Sequence, residues 1–177
     1  MTPVFEGSRV LLVEIQSLVI PAKSGISRIY SDRIDSGRVA RVAAVLEKHL
    51  GVRLSELDVY VNVAGGIRIG EVGVELPVAM ALYSAKSGTP VPEGLAVVGE
   101  VSLAGEVRPV MGLEKRVKAA GEIGFKTLVC PPPASYESVQ DARLTQVSQI
   151  ADAVRAVFGE GAAAVRRGPG AADREGR

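Results

Sequence analysis

An α+β fold is the class this sequence predicts, on three observations. Strand-like and helix-like periods follow one another without a regular strand–helix–strand alternation, which argues against a doubly wound sheet. The length of 177 residues suits one domain with a single substantial core. Apolar residues make up 47% of the chain but aromatics only 4%, so Val, Ala, Leu and Ile must fill that core.

In chain order, Val10 to Ile20 is rich in β-branched residues and Leu and predicts a strand. Pro21 to Gly25 is a bend, and Ile26 to Ser31 resumes an extended pattern, so the two segments are expected to form an antiparallel pair. Asp35 or Ser36 then caps a helix in which Val39, Val42, Leu46 and Leu50 share one face, and Gly51 ends it in the left-handed position. Asp58 to Ala64 sets Val59, Val61 and Val63 on one side and Tyr60 and Asn62 on the other, the alternation of a half-buried strand. A glycine-spaced loop, 67–74, leads to a helix over Glu75 to Lys86, with Leu76, Met80 and Tyr83 in register and Pro77 in the tolerant first turn.

After a proline-rich connector, Val97 to Leu103 reads as a buried strand, Ala104-Gly105-Glu106 as a tight turn and Val107 to Val110 as a second strand. Leu113, Val117 and Ala120 then recur at helical spacing, which sends Glu114, Lys115, Arg116 and Lys118 elsewhere. Thr127 to Cys130 and Arg143 to Val147 are short strands, and Ile150 to Phe158 a closing helix with Ile150, Ala153, Val154 and Val157 inward. The domain is therefore placed at 1–158. Residues 159–177, rich in Gly, Ala and Arg, are expected to be a disordered tail.

Composition removes several classes of function. No apolar run reaches the roughly 20 residues of a membrane span, so no membrane partner is expected and the chain reads as cytoplasmic. With one cysteine and one histidine, Cys130 and His49, neither an internal disulfide nor a Cys/His metal site is available, and no cofactor is expected in this chain. Cys130 closes an apolar strand and reads as a core thiol. A net charge of +1 leaves nucleic-acid contact to local clustering of Arg and Lys. Lys86-Ser87 ends a helix without the glycines of a phosphate loop, and the glycine pattern from Gly65 to Gly73 fits no dinucleotide fingerprint.

The runs Gly7-Ser-Arg-Val-Leu-Leu-Val-Glu-Ile-Gln-Ser-Leu-Val19, Asp58-Val-Tyr-Val-Asn-Val-Ala-Gly-Gly66 and Gly99-Glu-Val-Ser-Leu-Ala-Gly-Glu-Val-Arg108 resemble, in that order, the Lon-protease-like domain of the RadA (Sms) family of bacterial DNA repair ATPases. The resemblance implies the Lon-protease-like fold, related to ribosomal protein S5 domain 2. It also implies a parent that uses ATP, Mg and Zn in segments other than this one, processes recombination intermediates by branch migration, and works beside the RecA recombinase. A related domain occurs in ComM-type magnesium-chelatase-related ATPases, but the Gly99 to Arg108 run leans towards RadA.

A Lon-type peptidase needs a serine whose proton passes to a neutral lysine. Counting from Gly99-Glu100 without gaps, the resemblance puts the serine position on Gly73 and the lysine position on Arg116. Glycine has no nucleophile and a guanidinium is too basic to accept a proton near neutrality. No peptidase activity is expected. The roles left are DNA contact and assembly into a ring, which the resemblance makes a homo-hexamer. The candidate phosphate contacts are Arg33, Arg38, Arg41, Arg68, Arg108, Lys115, Arg116 and Lys118, with Arg68 and Arg116 expected near the vacated dyad. The strand pair from Val10 to Val19 and the Pro90 to Leu95 connector are candidate ring contacts, in the alternative reading of a purely structural scaffold.

Overall fold

Asp35 and Gly51 bracket the first helix as their chemistry requires. The Asp35 carboxylate accepts from the Arg38 N–H, and Gly51 sits at φ 68°, where its N–H reaches back to the Glu47 and Leu46 carbonyls. The chain is described by a computed structural model over residues 1–23, 25–132 and 142–163. Two strands open it, β1 (Thr2–Glu6) and β2 (Arg9–Val13), paired as an antiparallel hairpin. Glu14 then breaks the run, and β3 (Ile15–Pro21), β4 (Ile29–Ser31), α1 (Ser36–Leu50) and β5 (Leu57–Val63) follow. The single strand expected over Val10 to Ile20 is thus two strands in two different sheets.

β3 and β4 do not pair with each other, contrary to expectation. They flank β5, β3 antiparallel and β4 parallel to it, in the order β3-β5-β4. The reason lies in the burial pattern: Val59, Val61 and Val63 are almost fully buried on one face of β5, so β5 takes the centre of the sheet.

A 3₁₀ turn over Val72–Val74 runs into α2 (Glu75–Ser87). Eight of its side chains, Glu75 to Met80 with Leu82 and Tyr83, are buried. It packs on β3, α1 and the closing helix, and a helix apolar around most of its circumference belongs at the centre of a domain. Each fully buried Leu, Val or Met contributes about 1.5–3 kcal/mol.

Beyond α2 the expected long strand is again two pieces, β6 (Leu95–Val97) and β7 (Glu100–Val101), with β8 (Val107–Arg108) completing a small hairpin. The break falls at Gly99, whose N–H donates to the Gly73 carbonyl and whose carbonyl accepts from Leu76 N–H, so its hydrogen bonds go to the start of α2. A methyl group at Gly99 would lie 3.0 Å from Val107 Cγ1 and 3.2 Å from Leu76 Cδ2. Then come α3 (Leu113–Ile123), β9 (Thr127–Cys130), β10 (Arg143–Gln146) and α4 (Ile150–Phe158). β6, β9 and β10 form a parallel sheet in the order β10-β9-β6. Under α3, Leu113, Val117 and Ala120 meet Ala96, Val98, Leu128 and Cys130 in a second apolar cluster.

The first residues of the segment expected as a tail are ordered into the fold. Glu160–Ala163 forms a 3₁₀ turn, and the Tyr83 hydroxyl donates to the Ala162 carbonyl. Residues 164–177 and the last residue of the triple proline, Pro133, lie outside the described residues. The strands and helices together make the mixed α and β domain the sequence predicts.

Candidate functional site

Gly73 and Arg116, 43 residues apart in number, are neighbours in space. A Cβ built on Gly73 would stand 3.7 Å from Arg116 Nη1, 3.6 Å from Val98 Cγ2 and 3.7 Å from Val110 Cγ1. Ungapped counting along the sequence therefore selected two positions that face each other where α2 begins.

Arg116 is not the projecting cation that helical spacing suggests. It is 1% exposed. Its Nη1 donates to the Pro3 carbonyl (2.8 Å) and to Glu71 Oε1 (2.7 Å), its Nη2 to Glu71 Oε2, and its Nε to the Met111 carbonyl (3.0 Å). The Phe5 ring lies under the guanidinium carbon at 4.4 Å. A two-pronged carboxylate, two carbonyls and a ring face satisfy this buried charge, so Arg116 leaves the set of phosphate-facing residues. The periodicity argument failed here because the inward face of α3 widens where β1 and the Glu71 segment close over it.

A second ionic network adjoins the first. Glu75 is 5% exposed, takes the Val101 N–H on Oε2 (3.0 Å) and holds Arg38 Nε and Arg41 Nη2, each 3.6 Å from Oε1. Arg38 Nη1 also donates to the Glu71 carbonyl. Arg38 is thus occupied within the fold, with a side chain only 15% exposed, and it too leaves the phosphate-facing set. Arg41 keeps half its side chain in solvent.

The other candidates sit on the surface, most of them paired. Arg33 faces Asp32 at 3.3 Å, Arg108 faces Glu106 at 2.7 Å and Lys118 faces Glu122 at 3.8 Å. The Glu106 carboxyl is held below its ordinary pKa by the hydrogen bond and charge of Arg108. Arg68 and Lys115 are exposed and take part in no ion pair among the described residues. An isolated bridge, Ile34 to Ile69, brings Arg68 beside Arg33, and both line a cleft of about 360 Å3 at the start of α1. Asp32 and Asp35 line the same cleft and offset the two arginines.

Sequence reasoning missed the partners that define the centre. Nothing local in the sequence marks Glu71, Phe5 or Gly112 as partners of Arg116. Gly112 stands at φ 65°, and a Cβ there would lie 2.7 Å from the Phe5 ring, so a side chain at 112 would drive Phe5 off Arg116. Cys130 is buried, and burial raises its thiol pKa to about 11.

Comparison with known proteins agrees with the sequence resemblance. The family model described as "Subunit ChlI of Mg-chelatase" matches residues 33–134, more than half of the chain. The DNA repair protein RadA of Treponema pallidum is 50% identical over 156 residues, 88% of this chain and 34% of that protein. RadA of Brucella abortus is 42% identical over 159 residues, covering 89% of this chain and 34% of its own length, and RadA of Escherichia coli 36% over 155 residues, covering 85% and 33%. The chain spans about a third of the length of these relatives. It belongs to the family described as subunit ChlI of Mg-chelatase, in the form shared with the bacterial DNA repair protein RadA.

Proposed function

We propose that this chain is a catalytically silent, Lon-protease-like domain of a RadA-type DNA repair ATPase, kept for ring assembly and DNA engagement. The observation that carries the reading is the Gly73–Arg116 contact: the positions a Lon-type dyad would occupy adjoin one another, yet hold no hydroxyl and a guanidinium saturated by Glu71. The same contact supports the Lon-like, S5 domain 2-like fold. A peptide-cleaving step needs a nucleophile and an acceptor for its proton, and this pair supplies neither. On this reading ATP, Mg and Zn belong to other segments of the parent, which acts in the cytoplasm on recombination intermediates with RecA.

Of the two roles, DNA contact rests on few free charges. Arg68 and Lys115 are the first candidates, Arg33, Arg108 and Lys118 follow where a phosphate can displace an exposed carboxylate partner, and Arg41 offers only the exposed half of a side chain held by buried Glu75. Exposed ion pairs are worth at most about 1 kcal/mol, so that displacement is inexpensive. The test is an electrophoretic mobility assay of the purified chain on single-stranded, duplex and branched DNA, with sedimentation of the same sample. A salt-sensitive shift supports DNA engagement, and a hexamer without a shift supports the purely structural scaffold. A monomer that shifts nothing at low salt sinks both, and casein hydrolysis by pure protein sinks the silent-dyad reading. The ComM-type alternative draws on the match to the Mg-chelatase subunit model. It would be favoured if the parent gene encoded that kind of ATPase.

A further inference from the structure

The edge of the β3-β5-β4 sheet carries information that neither DNA contact nor the dyad uses. Ala64 N–H donates to the Glu14 carbonyl and Ala22 N–H to the Glu56 carbonyl, at the two ends of the β3/β5 register. That parity turns the N–H and C=O groups of Gln16, Leu18 and Ile20 towards β5. It turns those of Ile15, Ser17 and Val19 outward. No hydrogen bond among the described residues reaches the outward backbone groups of these three, and β3 has no neighbour on that side.

Edges of this kind are normally blunted by lysines, prolines, inward charges or a cover. Among the described residues only Pro21, at the far end, does so. Beside the edge lies a cleft of about 460 Å3 lined by Ile15 to Ser17 on one side, and by Pro77, Met80 and Ala81 of α2, the Pro90 to Leu95 connector and Phe125 on the others. Its lining is mixed, with Pro77, Met80, Ala81, Leu95 and Phe125 supplying the apolar part. The Ser17 hydroxyl is buried and has no hydrogen-bond partner. The charged side chains on its wall are Glu14 and Glu93, with no Lys or Arg among its lining.

We propose that this groove is a docking site for an extended segment of a partner protein, which adds to β3 as a fourth strand. Three features set its chemistry. The outward N–H and C=O groups of Ile15, Ser17 and Val19 require a free peptide backbone rather than a helix or a sugar-phosphate chain. The apolar part of the lining, from Pro77, Met80, Ala81 and Phe125, takes aliphatic side chains at alternate positions of that strand. Glu14 and Glu93 take a Lys or Arg at its flank, which sets the occupant apart from an acidic or phosphorylated peptide. About four residues fit, at roughly 3.3 Å each along the edge. The proposal is independent of the DNA reading, and it competes with the ring reading for the Val10 to Val19 segment and the Pro90 to Leu95 connector.

The probe is a fluorescein-labelled peptide, Lys-Val-Thr-Val-Ser-Val-Lys, titrated against the full chain by fluorescence anisotropy. The expected result is saturable binding. It should be lost when alternate amides of the peptide are N-methylated and weakened about tenfold when its lysines become glutamates. Ser17→Pro removes one outward N–H at a place where an edge strand tolerates proline, and should weaken binding about tenfold with an unchanged circular dichroism spectrum. Glu14→Lys with Glu93→Lys keeps the strand edge and should invert the charge preference, which guards against loss of fold as the cause. Equal binding of the N-methylated peptide, no saturation at millimolar peptide, or a concentration-dependent dimer abolished by Ser17→Pro would each overturn the proposal, the last by assigning the edge to a second copy of this chain.

Discussion

Arg116 holds together parts of the chain that have no local reason to meet. It bonds to Pro3, 113 residues away, and to Glu71, 45 away, while stacking on Phe5. Removing a charge from a buried pair leaves the other uncompensated, so Arg116→Ala should lower unfolding stability by about 3 kcal/mol in chemical denaturation. Arg116→Lys should recover little of it, because an ammonium cannot make the two-pronged contact. Gly112→Ala, with φ 65° and the Phe5 ring at 2.7 Å, should cost at least about 2 kcal/mol. Gly73→Ser is the opposite case. Its Cβ would meet only ordinary contacts at 3.6–3.7 Å, so the variant should fold at nearly parental stability and still hydrolyse no casein, Arg116 remaining charged and engaged. With its thiol pKa raised to about 11, Cys130 should react with a disulfide reagent at pH 8 only after unfolding.

At the scale of elements, Glu47 joins the end of α1 to the loop that enters β5. Its carboxylate accepts from the Leu54 N–H at 3.2 Å, the Ser55 N–H at 3.1 Å and the Ser55 hydroxyl at 2.9 Å. Burial pushes this carboxyl up, but those hydrogen bonds and the Arg53 charge outweigh it, and its pKa falls below the ordinary 4.5. A depressed folded pKa contributes stability above the unfolded value and loses it as pH falls through the folded one. Glu47→Gln should therefore cost about 1 kcal/mol at pH 7, with the gap in melting temperature from the parent closing as pH falls below the ordinary 4.5. His49 makes a similar tie from α1, its Nε2 lying 3.0 Å from the Leu103 carbonyl in the turn before β8. The caps of α1 and the inward faces of α1 and α4 were legible in the sequence because they depend on residues within a turn or two. The β3-β5-β4 order was not, because a strand's period tells which face is buried but not which neighbour supplies the hydrogen bonds.

For the molecule as a whole, ion pairing narrows the surface left for DNA. Arg38 and Arg116 are taken up in the fold, and Arg33, Arg41, Arg108 and Lys118 each face a carboxylate. Arg68→Glu combined with Lys115→Glu should weaken any DNA binding at low salt and reduce the slope of log affinity against log salt by roughly two, because each cation removed leaves one phosphate un-neutralised. Unchanged affinity and slope would remove these two residues from the interface. The sequence by itself determined the mixed α and β class, the capped first helix and most of the inward helix faces, because each depends on short-range pattern along the chain. Only the tertiary structure decided that Arg116 is buried against Glu71, that β5 lies between β3 and β4, and that β3 keeps an open edge. Those outcomes depend on which distant segments close over one another, and no local period encodes that choice.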